Sequence, residues 1–343
     1  MSLVDDLVWL IDVPSPTGSE ERLRDAVAGR LGGLEPRIVG KSVVVGRRAG
    51  RPLIGLYGHL DTVPEQGNLP ARVAGDRVHG LGSTDMKGGL AVMIALLEDP
   101  DVAAGPFDVL GVFYDGEEGP AERNGLETVL DATPDLLEAE FSIVMEPTDG
   151  ELQLGCQGVI NATVEFHGEA AHSARPWLGE NAITKAGAWL ASLHRRGWRD
   201  LEVGGLGFKE TFVVTTATGG VARNVIPSRF TLNLNHRFPP GRTVEQAEAM
   251  VRELCAGADR VEVTDRAPAA PIPEGNPHLE RLRALVEVVA PKTAWTDVAR
   301  LSARGLAAVN YGPGEVALSH RADESTPIEG LERALGVMRD FLA

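Results

Sequence analysis

The sequence of 343 residues has very little cysteine: Cys156 and Cys255 are its only two. Two cysteines are too few for a disulfide framework, and their spacing fits no zinc-binding knuckle. Because structural disulfides form in oxidising compartments, this scarcity favours the reducing cytoplasm as the location of the protein.

Long apolar runs and basic residues are also scarce. No run approaches the ~20 apolar residues that a membrane-spanning helix needs, and the first residues carry acids where a secretory signal has a basic segment. Lys and Arg number 33 against 49 Asp and Glu, which gives a formal net charge of −16. We therefore expect neither a membrane nor a nucleic acid as partner. An anionic substrate would need arginines placed locally in its site.

The sequence alternates short apolar runs with helical patterns. The runs at 42–45, 53–57, 109–114 and 141–145 are separated by helical patterns at 88–97 and 126–130. Since strand–helix alternation is typical of parallel sheets, we predict an α/β domain with a largely parallel sheet. The segment 17–20 has the spacing of a capping box and predicts the start of a helix that extends to about residue 32.

The pattern changes after residue 146. Alternation of apolar and polar residues at 159–167, 211–216 and 230–235 predicts antiparallel strands, and helical patterns occupy 181–194 and 244–257. A proline-rich stretch at 267–273 is a candidate linker, after which the α/β pattern returns. We therefore predict a first domain made of residues 1–156 and 266–343, with a smaller α+β domain, residues 157–265, inserted into it.

Polar side chains that suit chemistry follow three of the predicted strands and occupy one glycine-rich turn, residues 82–89. In open α/β sheets, ligands bind outside the carboxyl ends of the strands, so residues far apart in sequence can converge there. The candidates from this pattern are His59, Asp61, Asp85, Glu117, Glu118 and Glu146.

These residue types indicate a metal site. Histidine and carboxylates without cysteine suit a hydrolytic zinc site, or manganese or cobalt in its place, and carboxylates packed together need cations to offset their repulsion. His59 and Asp61 are two residues apart and face the same way on an extended segment, so Asp61 can accept a hydrogen bond from the imidazole. Each motif alone is weak, since a Glu-Glu pair is usually just solvated and the segment 82–89 can be a plain turn. Their occurrence together, in order, favours the metal site.

Two other classes of protein compete with this interpretation. The segments 80–82 and 86–89 resemble phosphate-binding loops, but neither completes such a pattern, and Asp85 would repel an anion. A non-catalytic protein on the same fold is the second alternative, because fold alone does not fix function. Such a protein should have lost one or more of the metal-binding residues or the residue that acts as a base, and none is missing.

The motifs resemble those of the aminoacylase/carboxypeptidase family of co-catalytic zinc hydrolases. The matching segments are 58–64, 85–89, 117–118, 146–147 and 171–176. The resemblance runs from about residue 5 to the C-terminus. It implies a catalytic domain with an inserted lid domain that forms a homodimer, and two Zn²⁺ ions per subunit, with Co²⁺ or Mn²⁺ as substitutes.

The resemblance also implies a role for each candidate residue. His59 and Glu146 would bind one ion, Glu118 and the late histidine His320 the other, and Asp85 would bridge them. Three further roles are implied: Glu117 as general base, Asp61 as the orienting acid, and His172 of the small domain as the donor to the oxyanion.

Further segments resemble the desuccinylase branch of that family. They are 155–158, 172–177, 224–227, 295–300 and 309–314, and Glu146 also resembles the deacylases. This implies hydrolysis of N-succinyl-LL-2,6-diaminopimelate in lysine and diaminopimelate biosynthesis, with N-acetylornithine or another N-acyl amino acid as the alternative substrate. Asn224, Arg237 and Thr296 match substrate-contacting positions. We add Arg175 for its charge and its proximity to His172, because arginine suits carboxylates.

Overall fold

The computed structural model describes residues 2–343 and divides into two compact units. Unit 1 takes the chain up to Leu154 together with Ile272–Ala290 and Arg300–Ala343, and unit 2 takes Gly155–Pro271 and Pro291–Ala299. The predicted inserted domain, residues 157–265, falls inside unit 2. Unit 2 also extends to Gly155 and Pro271 and takes in Pro291–Ala299, where the Thr296 carbonyl oxygen lies 3.9 Å from the Cys156 sulfur.

The regular elements of the described residues are as follows. The strands are β1 (Arg37–Val39), β2 (Ser42–Val45), β3 (Leu53–His59), β4 (Arg72–Ala74), β5 (Arg77–His79), β6 (Asp108–Tyr114), β7 (Phe141–Val144), β8 (Leu152–Leu154), β9 (Gly158–His167), β10 (Trp198–Val203), β11 (Leu206–Gly219), β12 (Arg229–Phe238), β13 (Arg260–Ala267), β14 (Val289–Pro291), β15 (Ala308–Asn310) and β16 (Ser325–Pro327). The α-helices are α1 (Leu3–Ile11), α2 (Glu21–Arg30), α3 (Lys87–Leu97), α4 (Pro100–Ala104), α5 (Leu126–Ala132), α6 (Ala182–Lys185), α7 (Gly187–Arg196), α8 (Val244–Leu254), α9 (Pro277–Arg283), α10 (Val298–Ala303) and α11 (Ile328–Leu342). Short 3₁₀ turns lie at Gly32–Leu34, Ala121–Arg123, Pro134–Glu138, Pro176–Leu178 and Val316–Leu318.

Unit 1 is built on an eight-stranded sheet with the order β1-β2-β6-β3-β7-β15-β8-β14. The central strands β6, β3, β7 and β15 run parallel, and β1, β2 and β8 pair antiparallel beside them. Every residue of β3 is buried, as expected for a strand covered on both faces. The predicted α/β class and largely parallel sheet are therefore confirmed. A separate three-stranded sheet, β16-β5-β4, also belongs to this unit.

The predicted capping box at residues 17–20 is wrong. Helix α2 begins at Glu21 and has no side-chain hydrogen bond at its N-cap. The hydroxyl of Thr17 instead donates to a carboxylate oxygen of Asp61 at 3.0 Å. A residue with capping spacing thus supplies a donor to a buried carboxylate, which needs hydrogen-bond donors to be stable.

Unit 2 contains a five-stranded sheet with the order β10-β11-β12-β9-β13, in which all neighbouring strands are antiparallel. The predicted strands match β9, β11 and β12, whereas β10 and β13 were not predicted. The single helix predicted at 181–194 is broken into α6 and α7 at Ala186. The core of this unit includes Phe166, Trp189 and Phe238. Within residues 2–343, no helix combines the length and the apolar character needed to cross a membrane.

Candidate metal centre

The parallel strands of unit 1 bring the predicted residues that follow them to one edge of the sheet. His59 is the last residue of β3 and pairs in register with Tyr114, the last residue of β6. Glu117 and Glu118 follow β6, and Glu146 follows β7, which pairs with β3 on its other side. Since parallel strands end at the same edge, side chains far apart in sequence become neighbours.

These side chains form three groups whose ligand atoms lie within 4.8 Å of one another, and two of the groups share Asp85. Those two are His59, Asp85 and Glu146, and Asp85, Glu118 and His320, while the third is His59, Glu117 and Glu118. The Nε2 atom of His59 is 3.2 Å from Oδ1 of Asp85, and the Nε2 atom of His320 is 3.4 Å from Oδ2. One carboxylate therefore presents one oxygen to each histidine, which is the arrangement that a bridging ligand needs.

The outer ligand atoms of the two groups complete this arrangement. The Nε2 atom of His59 is 3.8 Å from a carboxylate oxygen of Glu146, and that of His320 is 2.8 Å from one of Glu118. The Nδ1 atom of His59 lies 2.9 Å from the main-chain oxygen of Asp61 and donates to it, which leaves Nε2 as the ring atom that faces the carboxylates. Such a second hydrogen bond is how proteins usually fix the tautomer of a metal-binding imidazole.

The charge of the cluster favours cations. Burial opposes charge on His59, yet the hydrogen bond to Asp85 and the nearby carboxylates raise its pKa well above the ordinary value. Hydrogen bonds to Asp85 and Glu118 raise the pKa of His320 to about 10. Although burial works against it, hydrogen bonds from the two histidines lower the pKa of Asp85. The cluster thus has an excess of negative charge, and its oxygen and imidazole ligands fit divalent cations of the zinc type.

The Asp61 carboxylate holds the Glu117–Glu118 loop and is not the hydrogen-bond partner of the imidazole that the sequence predicted. Its two oxygens accept hydrogen bonds from the main-chain N–H groups of Glu117, at 3.1 Å, and Glu118, at 3.0 Å. The Nδ1 atom of His59 is 3.6 Å from this carboxylate and closer to the main-chain oxygen. The two-residue spacing places both the carboxylate and the main-chain oxygen of Asp61 near the His59 imidazole. The sequence alone does not say which of them accepts its hydrogen bond.

Two further residues of the centre were missed from the sequence. Thr17 donates to Asp61, and Glu324 accepts hydrogen bonds from the loop that carries Asp85. Burial raises the pKa of Glu324 to about 7, although the main-chain N–H groups around it favour the charged form. An acid in a polar segment is normally solvated, so the residue type gave no sign that Glu324 is buried. The only sequence signal was its position four residues after His320.

Three of the predicted residues lie on adjoining exposed loops of unit 2. His172, Arg175 and Asn224 are exposed, and the N–H of Ser173 donates to the main-chain oxygen of Asn224 at 2.9 Å, which ties the two loops together. The Nδ1 atom of His172 accepts from the N–H of Ala174 at 3.1 Å. The neutral ring therefore carries its proton on Nε2 and presents a donor there.

The remaining two substrate candidates lie near Cys156 in unit 2. Arg237 lies on β12, and burial lowers its pKa, with the Cys156 thiol among its electrostatic neighbours. Thr296 is buried, and its carbonyl oxygen contacts the Cys156 sulfur. A partly desolvated guanidinium gains more from an anionic ligand than an exposed one does.

Comparison with known proteins identifies the family. Residues 55–343 match the peptidase family M20/M25/M40, and the chain belongs to this family. A Mycobacterium tuberculosis protein provisionally named succinyl-diaminopimelate desuccinylase is 39% identical over 97% of this chain and 96% of its own length. The succinyl-diaminopimelate desuccinylase of Corynebacterium glutamicum is 34% identical over 97% of this chain and 94% of its own length.

Solved structures share the fold. Aminopeptidase PepT of Bacillus cereus superposes with a TM-score of 0.79 at 19% identity, covering 99% of this chain and 97% of that chain. An M20 family metallo-carboxypeptidase of Sulfolobus solfataricus superposes with a TM-score of 0.76 at 16% identity, covering 100% of this chain and 98% of that chain. At these identities the likeness shows the fold alone. The family and its curated relatives make the chain a hydrolase of the amidohydrolase type, and members of the family depend on metal ions.

Proposed function

We propose that the chain hydrolyses N-succinyl-LL-2,6-diaminopimelate to succinate and LL-2,6-diaminopimelate, using two zinc ions per subunit. The observation that carries the two-ion centre is Asp85, whose two carboxylate oxygens face His59 at 3.2 Å and His320 at 3.4 Å. The names of the relatives from two actinobacteria support the acyl group and the amino acid. Cobalt or manganese can replace zinc with the same ligand types.

Glu117 acts as the general base in this proposal. Cations held by the Asp85-sharing ligand groups would supply Lewis-acid chemistry, which activates water and polarises a scissile carbonyl. The carboxylate of Glu117 takes the proton of the attacking water and delivers it to the leaving nitrogen. Its place is supported by the hydrogen bond from its main-chain N–H to Asp61, which fixes the loop beside His59.

His172 donates a hydrogen bond to the oxygen of the tetrahedral intermediate. Its Nε2 atom carries the proton because Nδ1 accepts from Ala174, so the ring is already in the donor tautomer. A donor matched to the developing oxyanion contributes mostly in the transition state. We propose that unit 2 forms a homodimer and that His172 serves the active site of the partner subunit.

Arginine and polar side chains of unit 2 recognise the carboxylates of the substrate. Succinyl-diaminopimelate carries three carboxylates and one ammonium group, whereas the protein has a net charge of −16. The substrate is therefore held by local donors, for which we propose Arg175, Asn224, Arg237 and Thr296. Bidentate arginine contacts suit carboxylates best.

A hydrolysis panel tests the proposal. The metal-free protein is assayed with N-succinyl-LL-diaminopimelate, N-acetylornithine and other N-succinyl and N-acetyl amino acids, before and after zinc or cobalt is added. We expect no activity without metal and the highest kcat/KM for the succinyl-diaminopimelate substrate. A preference for N-acetylornithine would refute the substrate and leave the metal centre standing, and full activity in metal-free protein would refute the metal centre.

A further inference from the structure

Two loops of unit 1 supply ligands that no strand end fixes directly. The loop before α3 carries Asp85, and the loop before β16 carries His320. His59 and Glu146, by contrast, adjoin the ends of neighbouring sheet strands. The Asp85–Glu118–His320 group therefore depends on how the two loops are held against each other.

A buried carboxylate joins these loops. Glu324, four residues after His320, is 2% exposed. One of its oxygens accepts from the N–H of Gly82 at 2.8 Å, and the other accepts from the N–H groups of Thr84 and Asp85, both at 2.9 Å. Three main-chain donors of one ligand loop thus converge on a side chain of the other, and a buried carboxylate is stable only with such donors.

Two threonines add hydrogen bonds on the same side. The hydroxyl of Thr84 donates to the main-chain oxygen of Ser325 at 2.9 Å, and that of Thr326 donates to the main-chain oxygen of Ser83 at 2.6 Å. We call Glu324, Thr84 and Thr326 the loop clasp. Its hydrogen bonds join residues that are 239 to 243 positions apart in sequence, and none of its three members is a proposed metal ligand.

His320 lies in an exposed segment with an unusual backbone. Its side chain is 51% exposed, and its φ of 63° lies in the left-handed region, which residues other than glycine seldom occupy. Its main-chain oxygen accepts from the amide of Gln66 at 3.0 Å, which is an exposed contact. The buried residue nearest to His320 along the chain is Glu324.

We propose that Glu324 is a positioning residue, which holds the His320 loop against the Asp85 loop so that the Asp85–Glu118–His320 group retains its cation. The inference rests on the proposed two-ion centre. Hydrogen-bonding partners outside the ligand shell typically change metal affinity by about 10–100-fold. The effect should fall mainly on this cation, since Asp85 is the only member of the other group that lies on one of these loops, whereas His59 and Glu146 adjoin the ends of sheet strands.

The test compares Glu324→Gln with Glu315→Gln. A glutamine at position 324 has the same shape but only one acceptor oxygen, so its amide NH₂ faces at least one main-chain N–H and that hydrogen bond is lost. Glu315 lies in the same loop, and its partly exposed side chain pairs with Arg77 on the outside, so it serves as the matched control. Zinc bound per chain is measured by elemental analysis after dialysis against buffers of graded free zinc.

We expect wild type and Glu315→Gln to bind two ions with unchanged affinities, and Glu324→Gln to bind one with little change and the other about 10–100-fold more weakly. Excess zinc should then restore much of its kcat. Equal weakening of both ions, or wild-type affinity for both, would overturn the inference alone. A wild-type chain that never binds a second ion would overturn the two-ion centre as well.

A second variant keeps the inference testable if the first one fails to fold. If Glu324→Gln does not fold, Glu324→Asp is measured in the same way, because it keeps the charge and shortens the reach by one methylene. The expected loss again falls mainly on one ion and is smaller. Wild-type binding of both ions by a folded Glu324→Asp would overturn the inference.

Discussion

The two units hold their candidate functional groups in opposite ways. In unit 1 the side chain of His59 is fully buried, and the carboxylate of Asp61 accepts hydrogen bonds from Thr17, Glu117 and Glu118. In unit 2, His172 and the other loop candidates are exposed. Like charges that must stay together need a stiff frame. The candidate metal ligands and the loop candidates of unit 2 thus lie in different kinds of structure.

The largest effect on kcat should come from the buried cluster of unit 1. We expect Glu117→Gln to keep the bound metal and lower kcat by about 10²–10⁴-fold, because an amide cannot take the proton of the water. Glu118→Gln should instead lose metal, since the Glu118 carboxylate lies 2.8 Å from His320 in the ligand group. Elemental analysis and steady-state kinetics on both variants check this. The reverse pattern would mean that the two roles are exchanged.

The exposed loop of unit 2 should give the next largest effect. Removing one oxyanion donor typically costs about 10²–10³-fold in kcat, and we expect this of His172→Ala. In a co-expressed mixture of His172→Ala and Glu117→Gln chains, a mixed dimer has one site that combines an intact Glu117 with the intact His172 of the other chain. About half the dimers are mixed at random, so about a quarter of wild-type activity should return.

The control for this mixture is each variant expressed alone, which should stay inactive. A verified mixed dimer without recovered activity would show that His172 acts within its own subunit. A chain that is monomeric at assay concentrations would rule out the shared site directly.

A smaller effect is expected from the partly buried arginine of β12. Losing a hydrogen bond to a charged group costs about 1.5–3 kcal/mol, so Arg237→Ala should lower kcat/KM for the succinyl substrate by about 10–100-fold. Arg229→Ala is the matched control, because Arg229 lies on the same strand but pairs with Glu165. Equal effects of the two substitutions would remove Arg237 from the substrate site.

The smallest effect concerns the stability of unit 2. His236 is stacked on Phe212 with ring centroids 3.9 Å apart, and burial lowers its pKa from 6.5 to about 4. The neutral form is therefore favoured in the folded state. Below about pH 6.5 the unfolded chain takes up a proton on His236 before the folded chain does, so the free energy of unfolding decreases as the pH falls towards 4. Between about pH 7 and about pH 5 this decrease amounts to about 2 kcal/mol.

His236→Phe should keep the stack and remove this pH dependence. Trp177, Trp189, Trp198 and Trp295 all lie in unit 2, and Trp9 alone lies in unit 1, so tryptophan fluorescence reports mainly on unit 2. Urea unfolding of metal-free protein at about pH 7 and about pH 5 compares the two chains. An equal loss of stability in both would show that other groups carry the pH dependence.

The comparison also separates what the sequence could predict from what it could not. The runs ending before His59, Glu117 and Glu146 predicted strands whose ends meet, and the structure has these strands side by side. Burial on both faces leaves a continuous apolar run, which is a strong signal. The parallel sheet and the convergence of these residues follow from it.

The supporting contacts had no such signal. Thr17 had the spacing of a helix cap and Glu324 that of a solvated acid, and both make their hydrogen bonds with residues distant in sequence. In unit 2, strand β13 alternates only over its first half, with Val261 and Val263, and continues with charged residues, and it was not predicted. Local patterns report burial, whereas partners across the fold are set by topology.

The position of β15 in the large sheet has a consequence for the order of folding. This strand lies between β7 and β8, although it follows both, and all of unit 2's sheet, in sequence. As the chain emerges from the ribosome, the five strands of unit 2 are complete at Ala267, while the large sheet still lacks the strand that joins its two parts. Domains generally fold as units during synthesis. The five-stranded sheet of unit 2 can therefore form while the large sheet that surrounds it in sequence is still unfinished.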